Sequence, residues 1–442
     1  MTNQQKRRSG STRHDLLVVM AGILSATSIL LSAPLMAADY SLSGESSTIM
    51  RMRTTIEKKE LYPLYEYVRL NVTDSHKDGS ALSFYISAWG RADLAGKTTS
   101  NETDGDLRYA YLSYRSSKNN LLVNIGRQFI SEGVAAEKFD GAYLRSDLLG
   151  GFGAAAYVGK SVFSEPDYKG GGIFYGGRLS HSMAKYYTVG LSALKSEKAD
   201  GGRYREEEGV DIWIHPLEQI DLAGRTSYNS ITSGFMESAY TLTITPLDGL
   251  SVSSEVSSVS YKDYFHNVTT KALSLTAGVI DPKEKMLSTG ASVSYIPLKN
   301  LTVSASYKNY SYDIAGDAHY FGGKVTYAVP ESYSAGLSAN RMEGAIDRLR
   351  YSELRFFALK ILGKTTLSAD YISVIFDKAI NGVKNSYSIT GSAGYQLTDK
   401  LKVAADLEYS RSPFMNDELR GMLKIVYAFE AKFGEGGSKS EK

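Results

Sequence analysis

The 442-residue chain contains no cysteine. That excludes a disulfide framework, a thiolate metal site and covalent attachment of a c-type haem to this chain. Proline is scarce, at 9 residues, so few positions lack the N–H that a sheet ladder needs. Neither sign of charge dominates, with 50 Lys+Arg against 48 Asp+Glu, and no long run of like charge occurs. A nucleic-acid partner would ordinarily leave a basic domain or stripe, so none is expected. Beyond the first 38 residues no stretch approaches the ~18 apolar residues of a membrane-spanning helix. If the remaining chain lies in a membrane, it must be a closed barrel.

What the chain does have begins with its leader. Lys6, Arg7, Arg8 and Arg13 precede an apolar run from Leu16 through Leu31, and small residues follow at Ala33, Ala37 and Ala38. This is the three-part pattern of a secretory signal, and it sets the expected boundaries: signal peptide 1–38, barrel 39–433 and polar tail 434–442. Removing the leader leaves 46 basic against 47 acidic residues, so the mature chain is nearly neutral. A cysteine-free exported chain suits passage through an oxidising periplasm.

Gly (41) and Tyr (32) are abundant, and segments rich in β-formers, Ser and Thr alternate at period two. Leu301, Val303, Ala305 and Tyr307 oppose Thr302, Ser304, Ser306 and Lys308; Leu401, Val403, Ala405, Leu407 and Tyr409 oppose Lys402, Asp406, Glu408 and Ser410. Such alternation fits a soluble sheet or a membrane barrel. Segment length favours the barrel, since roughly 10 to 13 residues cross a bilayer at a tilt whereas soluble strands average nearer 5 or 6. Tyrosines near segment ends, Tyr65 and Tyr67, Tyr186 and Tyr187, and Tyr307, Tyr310 and Tyr312, predict interfacial girdles.

Tight links recur at Pro216-Leu217-Glu218, Pro246-Leu247-Asp248-Gly249, Pro297-Leu298-Lys299-Asn300 and Leu397-Thr398-Asp399-Lys400. They read as periplasmic turns, and the longer polar links Asp93–Asp104, Ser164–Lys169 and Lys195–Arg203 as outer loops. Counting segments gives about 23, but a single-chain barrel with both ends on one side needs an even number. Tyr264 to Lys285 carries the weakest pattern and reads as loop. The expected fold is therefore all-β, a transmembrane antiparallel up-and-down β-barrel of about 22 strands.

Chemistry-bearing clusters are sparse. His76, His181, His215, His266 and His319 are scattered over turns and strand ends without metal-ligand spacing, and no Gly-x-Ser-x-Gly elbow occurs. Neither catalysis nor a cofactor bound by this chain is expected. Asn101 to Asp106 looks like a calcium loop but lacks the full ligand spacing and the distal glutamate, which favours a plain acidic loop. The sequon Asn71-Val-Thr73 falls in strand. Parity places Arg51, Arg53, Arg69, Arg91, Arg145 and Arg178 in the lumen, then Glu255, Asp370, Asp406 and Glu408, together with Lys308, Arg355, Lys402, Arg420 and Lys424. An arginine ladder there would favour anions; mutual neutralisation of a wet interior is the alternative. Arg127 has lipid-face parity and reads as interfacial.

About 22 strands enclose more room than their side chains fill, and barrels of that size carry plugs. No segment is left over to form a plug domain. The best candidate for a piece folding inward is Ile130 to Asp140, as a short helix or lid. Three readings remain: a diffusion channel, a sheath filled by another protein, and a barrel enzyme or adhesin.

The leader, the alternation and the stretch from Ile125-Gly126-Arg127-Gln128 to Asp140-Gly141 resemble Gram-negative porin-type outer-membrane channels. The second half, with Arg341-Met342-Glu343-Gly344, Arg348-Leu349-Arg350-Tyr351 and Glu418-Leu419-Arg420-Gly421, is similar in style to porin-like barrels of metal-reducing bacteria, some of which encase multihaem cytochromes. The first resemblance implies a channel in the cell outer membrane, in contact with outer-membrane lipid and handled by barrel-assembly machinery. The second implies a sleeve for a multihaem cytochrome in an electron conduit. Lacking Cys-x-x-Cys-His, the chain would be only the sleeve.

Overall fold

The computed structural model describes residues 40–55, 58–94, 103–162, 170–198, 201–265, 281, 283–415 and 417–433. The leader, the polar tail, His266 and much of the outer loops therefore lie outside the described residues. The wall consists of 22 strands. In chain order the first are β1 (Tyr40–Thr54), β2 (Pro63–Ser75), β3 (Ala81–Asp93), β4 (Thr103–Arg115), β5 (Leu121–Glu132), β6 (Ala135–Asp147), β7 (Phe152–Ser161) and β8 (Gly170–Met183). Next come β9 (Tyr187–Lys198), β10 (Arg203–Leu217), β11 (Ile220–Asn229), β12 (Gly234–Leu247), β13 (Leu250–Ser260), β14 (Lys285–Leu298) and β15 (Leu301–Tyr312). The last are β16 (Ala318–Val329), β17 (Tyr333–Gly344), β18 (Tyr351–Leu362), β19 (Thr365–Ile380), β20 (Val383–Gln396), β21 (Leu401–Arg411) and β22 (Glu418–Phe433). A two-residue piece, Glu60–Leu61, pairs with the end of β1 and runs through Tyr62 into β2, so it adds no wall strand.

Each strand pairs antiparallel with its neighbours in sequence. β1 closes the cylinder on β22, from Tyr40↔Phe433 to Met52↔Gly421, while its other edge pairs with β2. Closure leaves no open edge, which is what a sheet surrounded by hydrocarbon requires. Strand lengths run from 10 to 16 residues, as a tilted crossing needs. No helix among the described residues is long and apolar enough to span a membrane. Between Leu250 and Leu298 the described strands are β13 and β14, with a short helix at Tyr261–Tyr264 following β13, and the strand count is even.

The Pro-Leu links sit at the same end as both strand termini. Their prolines lie inside the strands, one residue before the end, where the ladder breaks between Ile214 and Leu217, Ile244 and Leu247, and Tyr295 and Leu298. A proline has no N–H to give, so it is accommodated where the register slips. The turns themselves are then two residues long, and Gly249 (φ 78°) and Asn300 (φ 72°) take their left-handed positions. At the opposite end Asn381-Gly382 makes a similarly tight turn, with both φ angles positive, so not every outer connection is long.

Directly paired residues share a face, which assigns the whole wall. Leu419, Leu423, Ile425 and Tyr427 on β22, with Leu407 and Tyr409 on β21, are exposed apolar groups on the outer surface. On that same outer face Glu66 accepts hydrogen bonds from Ser46 Oγ (2.5 Å) and Thr48 Oγ1 (2.6 Å), partners that lipid would not supply. The girdle reading needs correction. Tyr65 and Tyr67 pair with Ile49 and Ser47 and have the parity of Arg69, and Tyr310 and Tyr312 have that of Lys308; all four face inward. Tyr307, opposite Phe321, faces out as expected.

Candidate functional site

The barrel carries its own internal element. Gly126 on β5 has φ 129°, and a Cβ there would lie 2.3 Å from the Ala110 carbonyl oxygen, so only glycine allows the chain to turn at this point. The β4–β5 ladder stops one residue later, at Ala110↔Arg127. On the other side the β6–β7 ladder ends at Phe139↔Ser161, followed by a single bond from Val162 N to the Lys138 oxygen (2.8 Å). Between these limits β5 and β6 pair only with each other, as a ribbon from Gln128↔Phe139 to Glu132↔Ala135. Gly133 (φ 59°) and Val134 turn its tip.

The ribbon curls inward across the inner face of β7, β8 and β9. Val134 N donates to Ser192 Oγ on β9 (3.1 Å), and the Val134 side chain rests over Gly209 on β10. A side chain at Gly133 would collide with Ser192, a built Cβ lying 2.2 Å from its Cβ. Beneath the ribbon lies an apolar cluster of Ile130, Ala135, Phe139, Tyr143, Ala155, Tyr157, Phe174 and Leu194. Phe139 and Phe174 are fully buried with ring centroids 5.5 Å apart, and Tyr157 stacks on Phe174 at 5.1 Å. Burying each such side chain is worth about 1.5–3 kcal/mol, which holds the ribbon down on the inner wall.

Polar contacts fix its seat. Arg205 on β10 pairs with both Glu137 on the ribbon and Glu207 on its own strand, and its Nη2 donates to the Val134 oxygen (3.3 Å). Tyr143 OH donates to Glu132 near the tip. Gln128, 2% exposed, donates to the carbonyls of Asn124 and Gly141. At the bend Arg127 takes Asp140 bidentately (2.7 and 2.9 Å), Asp106 stands 3.5 Å from it, and Lys138 pairs with Asp106 (2.6 Å). Arg127 has outward parity, as its sequence position implies, and it staples the root of the ribbon. The stretch expected to fold inward as a short helix or lid does fold inward, as a β-hairpin, because the β5–β6 ladder continues without a break past the bend to Glu132↔Ala135.

A cavity of about 350 Å³ lies between the tip and strands β10 to β12, with Arg205, Asp211, Arg225 and Glu237 among its lining. Among the described residues two further spaces lie along the inner face, of about 750 Å³ beside β1, β21 and β22 and about 850 Å³ along β14 to β20. Serines 292, 294, 304, 306, 334, 338, 368 and 392 line much of the larger one.

The ten charges assigned to the lumen all lie on the inward face by register. They are not gathered into one site. Arg69 pairs with Glu45 (2.8 Å), Arg178 with Asp211 (2.5 Å), Glu255 with Lys308 (2.6 Å) and Asp370 with Arg355 (2.7 Å). Looser contacts join Arg91 to Asp104 (4.0 Å), Arg145 to Glu132 (4.0 Å) and Glu408 to Arg420 (3.9 Å). Arg51, Arg53 and Asp406 have no salt-bridge partner among the described residues, and all three line the 750 Å³ space. Lys402 and Lys424, opposite Gln396 and Ala404, share this face. The ladder is thus mostly neutralised within the wall.

The remaining sequence candidates have local partners. His181 lies 3.1 Å from the Tyr187 hydroxyl, His215 stacks on Trp213 (5.5 Å), and His319 lies 2.9 Å from Tyr307 OH. Among the described residues no group of three His, Cys, Asp or Glu is placed to hold a metal. Of the supposed calcium loop, Thr103 to Asp106 belong to β4.

Fold and internal hairpin together define a wide transmembrane β-barrel of porin-like architecture with a segment of its own folded into the lumen. No family model and no curated protein sequence matches the chain. Among solved structures it is similar to Acinetobacter baumannii OccAB4, with TM-score 0.46 and 9% identity over 90% of this chain and 100% of that one. OccAB2 of the same organism gives TM-score 0.45 and 10% identity, covering 88% and 98%. Pseudomonas aeruginosa OccK3 (OpdO) gives 0.43 and 13%, covering 88% and 96%. Likeness of this degree carries no inference about solute or partner.

Proposed function

We propose that the chain is a channel-forming barrel of the cell outer membrane in which the β5–β6 hairpin narrows the path of small polar solutes. The observation that carries this reading is the hairpin itself, seated across the inner wall with open polar space beside it. An apolar outer face and a polar inner face support the membrane setting. A sleeve for a multihaem cytochrome needs its lumen free for the partner, and a ribbon seated on the inner face of β7 to β10 takes up part of that room. The channel reading therefore has the stronger support. Purified protein in planar bilayers tests it: stepwise conductance is expected, and its absence from correctly folded protein, or haem absorbance in the preparation, would overturn the reading.

Selectivity follows from the pairing of the luminal charges. With most of the paired arginines compensated, Arg51 and Arg53, which have no salt-bridge partner among the described residues, line the 750 Å³ space with Asp406, and Lys402 and Lys424 share this face, so a weak preference for anions is expected. Arg51→Glu with Arg53→Glu should move the reversal potential in a salt gradient to the cation side. Unchanged selectivity would show that ions take a different path.

A further inference from the structure

The inward-facing aromatics of β2, β3 and β4 have no counterpart in a bilayer explanation, because girdles belong on the outside. Tyr67 stands directly opposite Trp89, and Tyr85 directly opposite Tyr111, all on the face of Arg69. Tyr65 and Tyr67 stack at 6.1 Å with 16° between their planes, and Tyr67 and Trp89 at 6.5 Å with 28°. Lower on the wall Tyr85 stacks on Tyr111 at 5.1 Å, with Tyr109 at 5.9 Å from Tyr111. From Tyr85 to Trp89 is about 13 Å along the strand, so the rings form a stripe from mid-wall toward the mouth opposite the termini.

Both hydrogen-bonding senses flank the stripe. Arg51 lies over the Tyr65 ring (5.4 Å), Arg69 is held by Glu45, and Arg91 faces Asp104. A simple anion entering here would meet the two carboxylates as well as the arginines. A ligand with a flat C–H face and neighbouring hydroxyls meets every group favourably: rings take the face, guanidinium groups donate to hydroxyl oxygens, and carboxylates accept from hydroxyl hydrogens.

We propose that this stripe is a binding track for neutral saccharides, whose pyranose faces stack on the rings around Tyr67 and Trp89. The proposal deepens the channel reading and rests on it.

Single-channel recording with sucrose as the probe tests the track. Sucrose is expected to produce brief concentration-dependent current blocks, while glycerol, a polyol without a ring face, is not. Trp89→Ala and Tyr67→Ala, reconstituted separately so that one suffices if the other does not fold, should each weaken the block about tenfold. In Tyr395→Ala, which alters an aromatic on the outer face, sucrose should block as it does the unaltered chain. A conducting channel that sucrose does not block overturns the track and leaves the channel intact. So does a block that neither variant weakens, or one given by benzoate and not by sucrose. No conductance at all removes the channel reading and the track with it.

Discussion

Excising Gln128–Lys138, with Arg127 joined through a short Gly-Ser turn to Phe139, is expected to raise single-channel conductance roughly two- to fivefold, since a pore is limited by its narrowest section. The wall should survive the change. Below Gly126 and Phe139 the β4–β5 and β6–β7 ladders are complete without the ribbon, and the Arg127–Asp140 pair remains. What is lost is the cover over Phe174, Tyr157 and Leu194, so some thermal stability should go as well, at about 1.5–3 kcal/mol per apolar side chain uncovered. Measuring conductance and the heat-modified gel mobility of the same preparation separates the two effects. Unchanged conductance from a properly inserted barrel would mean that the hairpin stands outside the conducting path. A milder version is Gly133→Val, which keeps the ribbon but forces a branched side chain into Ser192 at a residue with φ 59°. It should loosen the tip and give flickering rather than uniformly larger currents.

Much of the architecture was legible because one physical rule governs it. Hydrocarbon outside and water inside make every strand alternate, so the strand count, the side of the tight turns and the inward direction of Arg51, Arg145 or Glu408 can be read from parity. The same rule would have placed Tyr65 and Tyr67 correctly, since both share parity with Arg69. Nearness to a strand end, on which the girdle expectation rests, does not distinguish the two faces of the wall. The hairpin was legible in place, though not in form. Gly133-Val134 is a turn signal between two short strands, but the polar and apolar residues do not alternate beside it: Glu132 and Glu137 share the buried face with Ile130 and Phe139, and Phe129 is exposed. The hairpin's destination was not legible, because Ser192, Arg205 and Gly209 stand roughly 60 to 75 residues further along and meet the tip only once the barrel has closed. Buried carboxylates at Glu132, Glu137 and Glu207 are the local trace of that meeting, visible only with the partners known.

Glu137 and Glu207 make Arg205 the residue on which the seat of the hairpin most depends. Its side chain is 23% exposed, between Glu137 at 10% and Glu207 at 6%, so removing the guanidinium leaves two poorly hydrated carboxylates facing each other. Breaking a buried pair by deleting one partner costs about 3–5 kcal/mol, more than the Val134–Ser192 bond and its neighbours return. Arg205→Ala should therefore release the tip while leaving the barrel closed. The expected signs are new protease cleavage between Gln128 and Lys138 in otherwise resistant protein, and a conductance close to that of the excised form. If charge burial is the cause, neutralising the site altogether should restore the seat: Arg205→Met with Glu137→Gln and Glu207→Gln leaves no buried charge, and two amides can bond each other across the gap. Loss of protease protection in both the single and the triple variant would assign the seat to Arg205's own bond to the Val134 carbonyl and its packing instead. Unaltered protection in the single variant would place the holding energy in the Phe139–Phe174 cluster alone, and the ionic contacts would then matter for the path of ions rather than for the position of the hairpin.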